Sequence, residues 1–316
     1  MSKYVHSIDS YTSIFSFTLL WVFFMTISKI KFPLFFTLQL TLLWGFFGCG
    51  AVLKKTAVGS FIEDVANATA KHDDIVLVVQ ATPTYLLLLE GLLQSSPNDP
   101  DLLISAAQFY TSYGALVESD DPVRARRIYQ RAKEFGIKAL MQNRHIAPLI
   151  RAPYPVFEQI THHLKPEDIT LIFWAASSWG AWIGASTESV TALADLPKVI
   201  HMMEWVINEK ESFFYGSPHV FLGMYHAALP QGLGGNPQKA LFHFNRALEI
   251  NRNQSLMVYV QMARFYARQT FDRPLYDSLL QTVLAKPIDE IPELTLQNAT
   301  AQKMARKLLA EADDFF

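Results

Sequence analysis

The stretches ARRIYQRA (125–132) and ALFHFNRA (240–247) set the same residue types at the same spacing. In the first, Ala125, Tyr129 and Ala132 follow one another at four and three residues; in the second, Ala240, Phe244 and Ala247 repeat the pattern. VIHMMEWV (199–206) is a bulkier third copy, with Val199, Met203 and Val206 in the same register. Spacings of three and four put such a trio on one face of an α-helix. Small residues there let a second helix approach closely, and the aromatic fills the groove between neighbours. A candidate partner helix precedes each copy: AAQFYTSYG (106–114), WAASSWGAW (174–182) and FLGMYHAA (221–228). Each mixes large aromatics with Gly or Ala. The pattern predicts an all-α protein built of helical hairpin repeats.

The small–aromatic–small trio resembles the second helix of a tetratricopeptide repeat. Repeat starts at Ala125, Val199 and Ala240 are 74 and 41 residues apart. On a period near ~34 residues that is two repeats, then one repeat with a longer loop. Apolar periodicity and Pro, Gly, Asp and Asn punctuation predict helices over 56–80, 83–95, 100–117, 122–142, 154–164, 167–185, 189–208, 218–228, 237–250, 254–270, 274–285 and 295–312. Pro122 and Pro237 fall just inside helix starts, where a missing N–H costs nothing, with Asp121 and Asn236 before them as N-caps. DDIVLVVQ (73–80) is strand-like in composition, but a lone strand has nothing to pair with, so it is read as buried helix.

Residues 14–48 carry most of the long apolar runs, split by the basic tripeptide KIK (29–31). From Met25 the chain reads as a short basic segment with Lys29 and Lys31, an apolar core from Phe32 to Leu43, then Gly45 and Gly48 before Cys49. That is the layout of a secretory signal peptide. With cysteine directly after a small residue it resembles a bacterial lipoprotein signal, although Phe46 and Phe47 depart from the usual box. The expected organisation is therefore a signal region over 1–48 and one tetratricopeptide-like helical domain over 49–316. Within the signal region, 1–24 reads as an over-long start and 25–48 as the signal peptide. Cys49 is the expected lipidation site. As the chain's single cysteine it excludes an internal disulfide framework and a cysteine zinc site. A net charge of −2 leaves no electrostatic footprint for nucleic acid.

No HExxH, GxSxG, P-loop or dinucleotide fingerprint is present. His162 and His163 are adjacent and point about 100° apart on a helix, which does not suit one metal. Asp120-Asp121 and Glu167-Asp168 sit at helix starts, where they complement the helix dipole. The glycines of QGLGGNP (231–237) precede a helix and read as a connection between repeat helices. No catalytic residue, metal site or cofactor is expected. Trp179 and Trp182 are three residues apart on one helical face, and Tyr225 belongs to the corresponding helix of the next pair. These three are the candidates for lining an apolar ligand cavity. Ordinary core packing is the competing reading, since Trp buries a large area.

The segment LPQGLGGNPQKALFHFNRALEINRNQSLMVYVQMARFYARQTFDRPLYDSLLQTVLA (229–285), with its Gly-Gly-Asn-x-x-Lys-Ala opening, resembles the T component associated with TRAP transporters, the TatT family. DPDLLISAAQFYTSYGALVESDD (99–121), RARRIYQRAKEFGIKAL (124–140), the Trp-rich helix and Cys49 agree with it. The resemblance implies a lipoprotein of the cell envelope, lipid-anchored and facing the periplasm, and a homotrimer with a pore or cavity in each protomer. It further implies binding to a periplasmic substrate-binding (P) component and the passage of a small ligand of hydrophobic character. It carries no catalytic residues. Two other readings stay open at the level of sequence: a generic repeat scaffold of the envelope, and an all-helical hydrolase of envelope polymers with two carboxylates about 5–10 Å apart.

Overall fold

In the computed structural model the described residues are 59–316, except 231 and 233. The signal region over 1–48 and the lipidation candidate Cys49 lie outside them. Ile62–Phe316 forms one compact unit. Its described residues are all-α, with no strand. The unit opens with helical residues 62–70 (α1), followed by α2 (Ile75–Ser95), α3 (Pro100–Val117) and α4 (Pro122–Leu140). After short helical pieces come α5 (Ile169–Gly184), α6 (Leu196–Lys210), α7 (Ser217–Ala228) and α8 (Pro237–Ile250). The chain ends with α9 (Leu256–Gln261, running on as a π-turn over Met262–Ala267), α10 (Arg273–Ala285) and α11 (Thr295–Ala310).

Five helix starts, those of α2, α3, α4, α8 and α10, are fixed by one side chain. Asp121 accepts the Arg124 N–H at 2.9 Å, and Asn236 accepts the Lys239 N–H at 2.9 Å, each beside a proline in the first turn. Asp74, Asp99 and Asp272 cap α2, α3 and α10 in the same way. Such caps each stabilise a helix by ~1 kcal/mol.

The three trios are buried as their spacing requires: Ala125, Ala132, Ala240 and Ala247 have no exposed surface, nor have Val199 and Val206. Each packs against its expected partner helix, α3 on α4, α5 on α6 and α7 on α8. In two of the pairs a glycine makes the approach possible. A Cβ at Gly114 would overlap the Tyr129 ring, and one at Gly223 would lie 3.1 Å from the Phe244 ring.

The structure moves several boundaries. The expected break between 80 and 83 lies instead at 71–74, and α2 runs unbroken through Pro83. Asp74 caps the new start, and the helix carries through an interior proline that removes one N–H and crowds the carbonyl four residues earlier. DDIVLVVQ thus supplies the turn before α2 and its first residues. α2 is long and apolar enough to cross a bilayer by length and composition. Here it lies on α3 with Val78, Leu86, Leu89 and Leu93 buried, while Val76, Leu77, Leu87 and Leu88 face outward. The helix expected over 189–208 is two, Val190–Ala194 and α6, because Pro197 cannot continue the first. That over 154–164 becomes one α-turn (Tyr154–Phe157) and a 3₁₀ segment (Glu158–His163).

Candidate functional site

A cavity of about 790 Å³ lies where the first helices meet the last. That volume is in the range that encloses most of a small organic ligand. α1, α2 and α3 supply one side, including Ala66, Val78, Thr82, Phe109, Tyr113 and Leu116. α9 and α11 supply the other, including Met257, Gln261, Arg264, Arg268, Thr300 and Met304. Phe214, Tyr215 and Trp174 also contribute to the wall. The lining is mainly apolar, with a few polar groups set into it.

Polar contacts join the two sides across most of the chain's length. Lys303 Nζ donates to Asp120 Oδ2 at 2.6 Å, and Lys307 Nζ to the Ser119 carbonyl at 2.6 Å. Arg264 Nη2 stands 3.7 Å from Glu118 Oε1, and the Tyr129 hydroxyl donates to Glu118 Oε2 at 2.8 Å. Lys71 pairs with Glu293 at 3.3 Å. The Lys303 hydrogen bond holds the Asp120 carboxyl below the usual carboxylate range. Asp120 therefore does more than complement a helix dipole, the role its position suggested.

Two features of the wall are unusual in backbone terms. Phe214 and Tyr215 are both left-handed, at φ 45° and 59°, and Gly216 follows at φ 78°. Left-handed non-glycine residues are costly and concentrate at functional sites. Their strain is offset by ring contacts, with Phe214 5.2 Å from the Trp174 ring and 5.3 Å from that of Phe173. The second feature is the π-turn Met262–Ala267, which carries Arg264. Such turns are rare and often mark functional segments.

None of the three sequence candidates lines this cavity. Trp179 is 2% exposed, lies edge-on to Phe157 at 6.5 Å and belongs to the central core with Ile172, Val199 and Met202. Trp182 lies under the Lys133 ammonium, which is 3.3 Å from its ring centroid and 5.5 Å from that of Trp179. Burial pushes the Lys133 pKa down, against the pull of Asp195. The structure thus brings Trp179 and Trp182 together around a half-buried cation. Tyr225 faces the α7–α8 connection, where a Cβ at Gly234 (φ 98°) would lie 2.7 Å from its hydroxyl. A Cβ at Gly235 would strike the Leu229 carbonyl, so Gly234-Gly235-Asn236 is a tight turn that ends in a helix cap. The tryptophan on the cavity wall is Trp174, which helical spacing sets on a different side from Trp179. Its only signal was membership of the same aromatic run.

A histidine chain crosses the α7–α8 pair outside the cavity. His219 Nε2 is 3.2 Å from Glu211 Oε1, and His219 Nδ1 is 2.8 Å from His243 Nδ1. The His226 ring stacks on His243 at 5.7 Å. Arg246 makes two bonds to Glu211, at 2.7 and 2.6 Å, and draws its carboxyl down to about 2. Burial, then the neighbouring imidazoles, lowers His243 to about 4. Among the described residues no group of three or more His, Cys, Asp or Glu is placed to hold a metal.

The described residues thus form an all-α unit around a cavity of about 790 Å³ walled mainly by apolar side chains. The chain matches the model of the TRAP transporter T-component family over residues 71–316, and it belongs to that family. It is also similar to a Treponema pallidum (strain Nichols) protein described as uncharacterized, at 24% identity over 274 residues, which covers 80% of this chain and 84% of that protein. Membership gives the chain an accessory, non-catalytic role in a TRAP transporter and a place in the cell envelope.

Proposed function

We propose that the protein receives a small, largely apolar ligand in the 790 Å³ cavity while docked to the periplasmic substrate-binding component of a TRAP system. The cavity carries this reading. It is sized for a ligand, walled mainly by apolar side chains, and framed by the strained Phe214-Tyr215 segment and a π-turn. In this role the protein is lipid-anchored through Cys49 after removal of residues 1–48, faces the periplasm and assembles as a homotrimer. Two acyl chains at ~0.8 kcal/mol per buried methylene are enough for stable anchoring. The two small–aromatic–small helices, the bulkier Val199–Met203–Val206 copy and their partners support a tetratricopeptide-like arrangement, which gives a partner protein a concave face to bind.

The test is affinity capture of the full chain from membranes in mild detergent, followed by identification of bound proteins and intact-mass measurement of the bait. Recovery of a TRAP substrate-binding protein with a diacylated bait starting at Cys49 is the expected result. A bait that retains residues before Cys49 overturns the anchor. Capture without any substrate-binding protein overturns the docking.

A further inference from the structure

Three carboxylates (Glu118, Glu293, Glu311) and three cations (Arg264, Arg268, Lys307) line the cavity, equal in number but not all paired. Arg264 is paired with Glu118, and Glu293 with Lys71. Lys307 donates to the Ser119 carbonyl, and Glu311 makes no ion pair among the described residues. Arg268 is the lining cation with neither an ion pair nor a side-chain hydrogen bond among them. Its guanidinium lies 3.4 Å from the centroid of the Phe315 ring. Among the described residues, it has no carboxylate within 4 Å and its side chain makes no hydrogen bond.

A guanidinium stacked on an aromatic ring is held in one plane with its donors pointing outward along its edges. That fork matches a carboxylate, which accepts two parallel hydrogen bonds. Arg268 shares its helical face with Met257, Gln261 and Arg264, all of which line the cavity. The apolar wall of Leu116, Met304 and Leu308 faces the same space.

We propose that the cavity takes an amphiphile with one carboxylate, an acyl or alkyl chain ending in –COO⁻, with Arg268 holding the carboxylate and the apolar wall holding the chain. This deepens the function proposed above and rests on the cavity being the ligand site. Neutral apolar molecules of the same length fill the wall equally well but leave the Arg268 fork unmatched. They bind more weakly for that reason.

Trp174 on the wall provides the readout. The full chain in digitonin is titrated with 10-bromodecanoate and with 10-bromodecan-1-ol, whose bromine quenches nearby tryptophan. The Trp174→Phe variant defines the part of the quenching that comes from the cavity. The acid is expected to quench at concentrations at least 10-fold below the alcohol. Arg268→Met and Arg268→Gln are each expected to bring that ratio close to one, with the alcohol curve unchanged. Equal curves for acid and alcohol in the unaltered chain overturn the carboxylate assignment and leave the cavity as a ligand site. A preference that survives both Arg268 variants overturns the role of Arg268. Absence of Trp174-dependent quenching by either compound overturns the ligand site itself.

Discussion

Arg252 and Asn253 close α8 in the left-handed region, at φ 53° and 62°. Glycine adopts that conformation without a Cβ penalty. Arg252 is exposed, and among the described residues its side chain makes no hydrogen bond or ion pair. Arg252→Gly is therefore expected to stabilise the protein by ~0.5–1 kcal/mol, seen as a higher urea midpoint with an unchanged slope. Gly114 predicts the opposite sign. A methyl group there would sit inside the Tyr129 ring, whose hydroxyl is already committed to Glu118. Gly114→Ala is expected to destabilise by ~1–3 kcal/mol through overpacking, despite alanine's better helix propensity. Trp179 teaches a related point. Two tryptophans three residues apart look the same in sequence whether they wall a cavity or fill a core. Only the residues that come to face them, Phe157 and Lys133 from other elements, decide which.

The helix pairs were legible because the approach of two helices is written locally, in small residues at three- and four-residue spacing with an aromatic between them. Caps were legible for the same reason: Asp121 and Asn236 act within three residues of themselves. The unbroken α2 was not, since a proline reads as a boundary until a better start, here Asp74, outcompetes it. The π-turn in α9 leaves no mark in periodicity either. The α7–α8 pair carries the clearest pH dependence. The folded pKa values of His219 and His243 are lowered, so the unfolded chain takes up protons first as the medium acidifies. Stability is then full above about pH 6.5 and falls as the pH drops toward 4, where His243 titrates when folded. Glu211, held near 2, adds a further loss below the ordinary carboxylate range. Thermal melts at pH 7.0 and 4.5 are expected to differ by about 3–6 °C more in the unaltered protein than in His243→Gln.

At the scale of the molecule, the cavity could not be read from the sequence, because its walls run from Ala66 to Phe315 and no local pattern spans that distance. What joins those walls differs from what fills the cores. Within the central and C-terminal cores the contacts are between aliphatic, aromatic and methionine side chains. Residues 118–120 meet 264–307 instead through Lys303–Asp120, Lys307–Ser119 and Arg264–Glu118. Screening shortens to about 3 Å in 1 M salt. Raising NaCl from 0.05 to 1 M is therefore expected to accelerate amide hydrogen exchange over 115–121 while leaving the interior of α7 and α8 unchanged. Equal acceleration in both regions would show that these ion pairs do not set the local opening.

A row of stacked helix pairs is open-ended by construction. In this protein residues 118–120 meet 264–307 through two ion pairs and a lysine–carbonyl hydrogen bond at the rim of the cavity. Such contacts weaken as salt rises, whereas the apolar walls behind them do not. The ionic strength of the surroundings would therefore set how firmly that rim is held, and the apolar packing behind it how firmly everything else is.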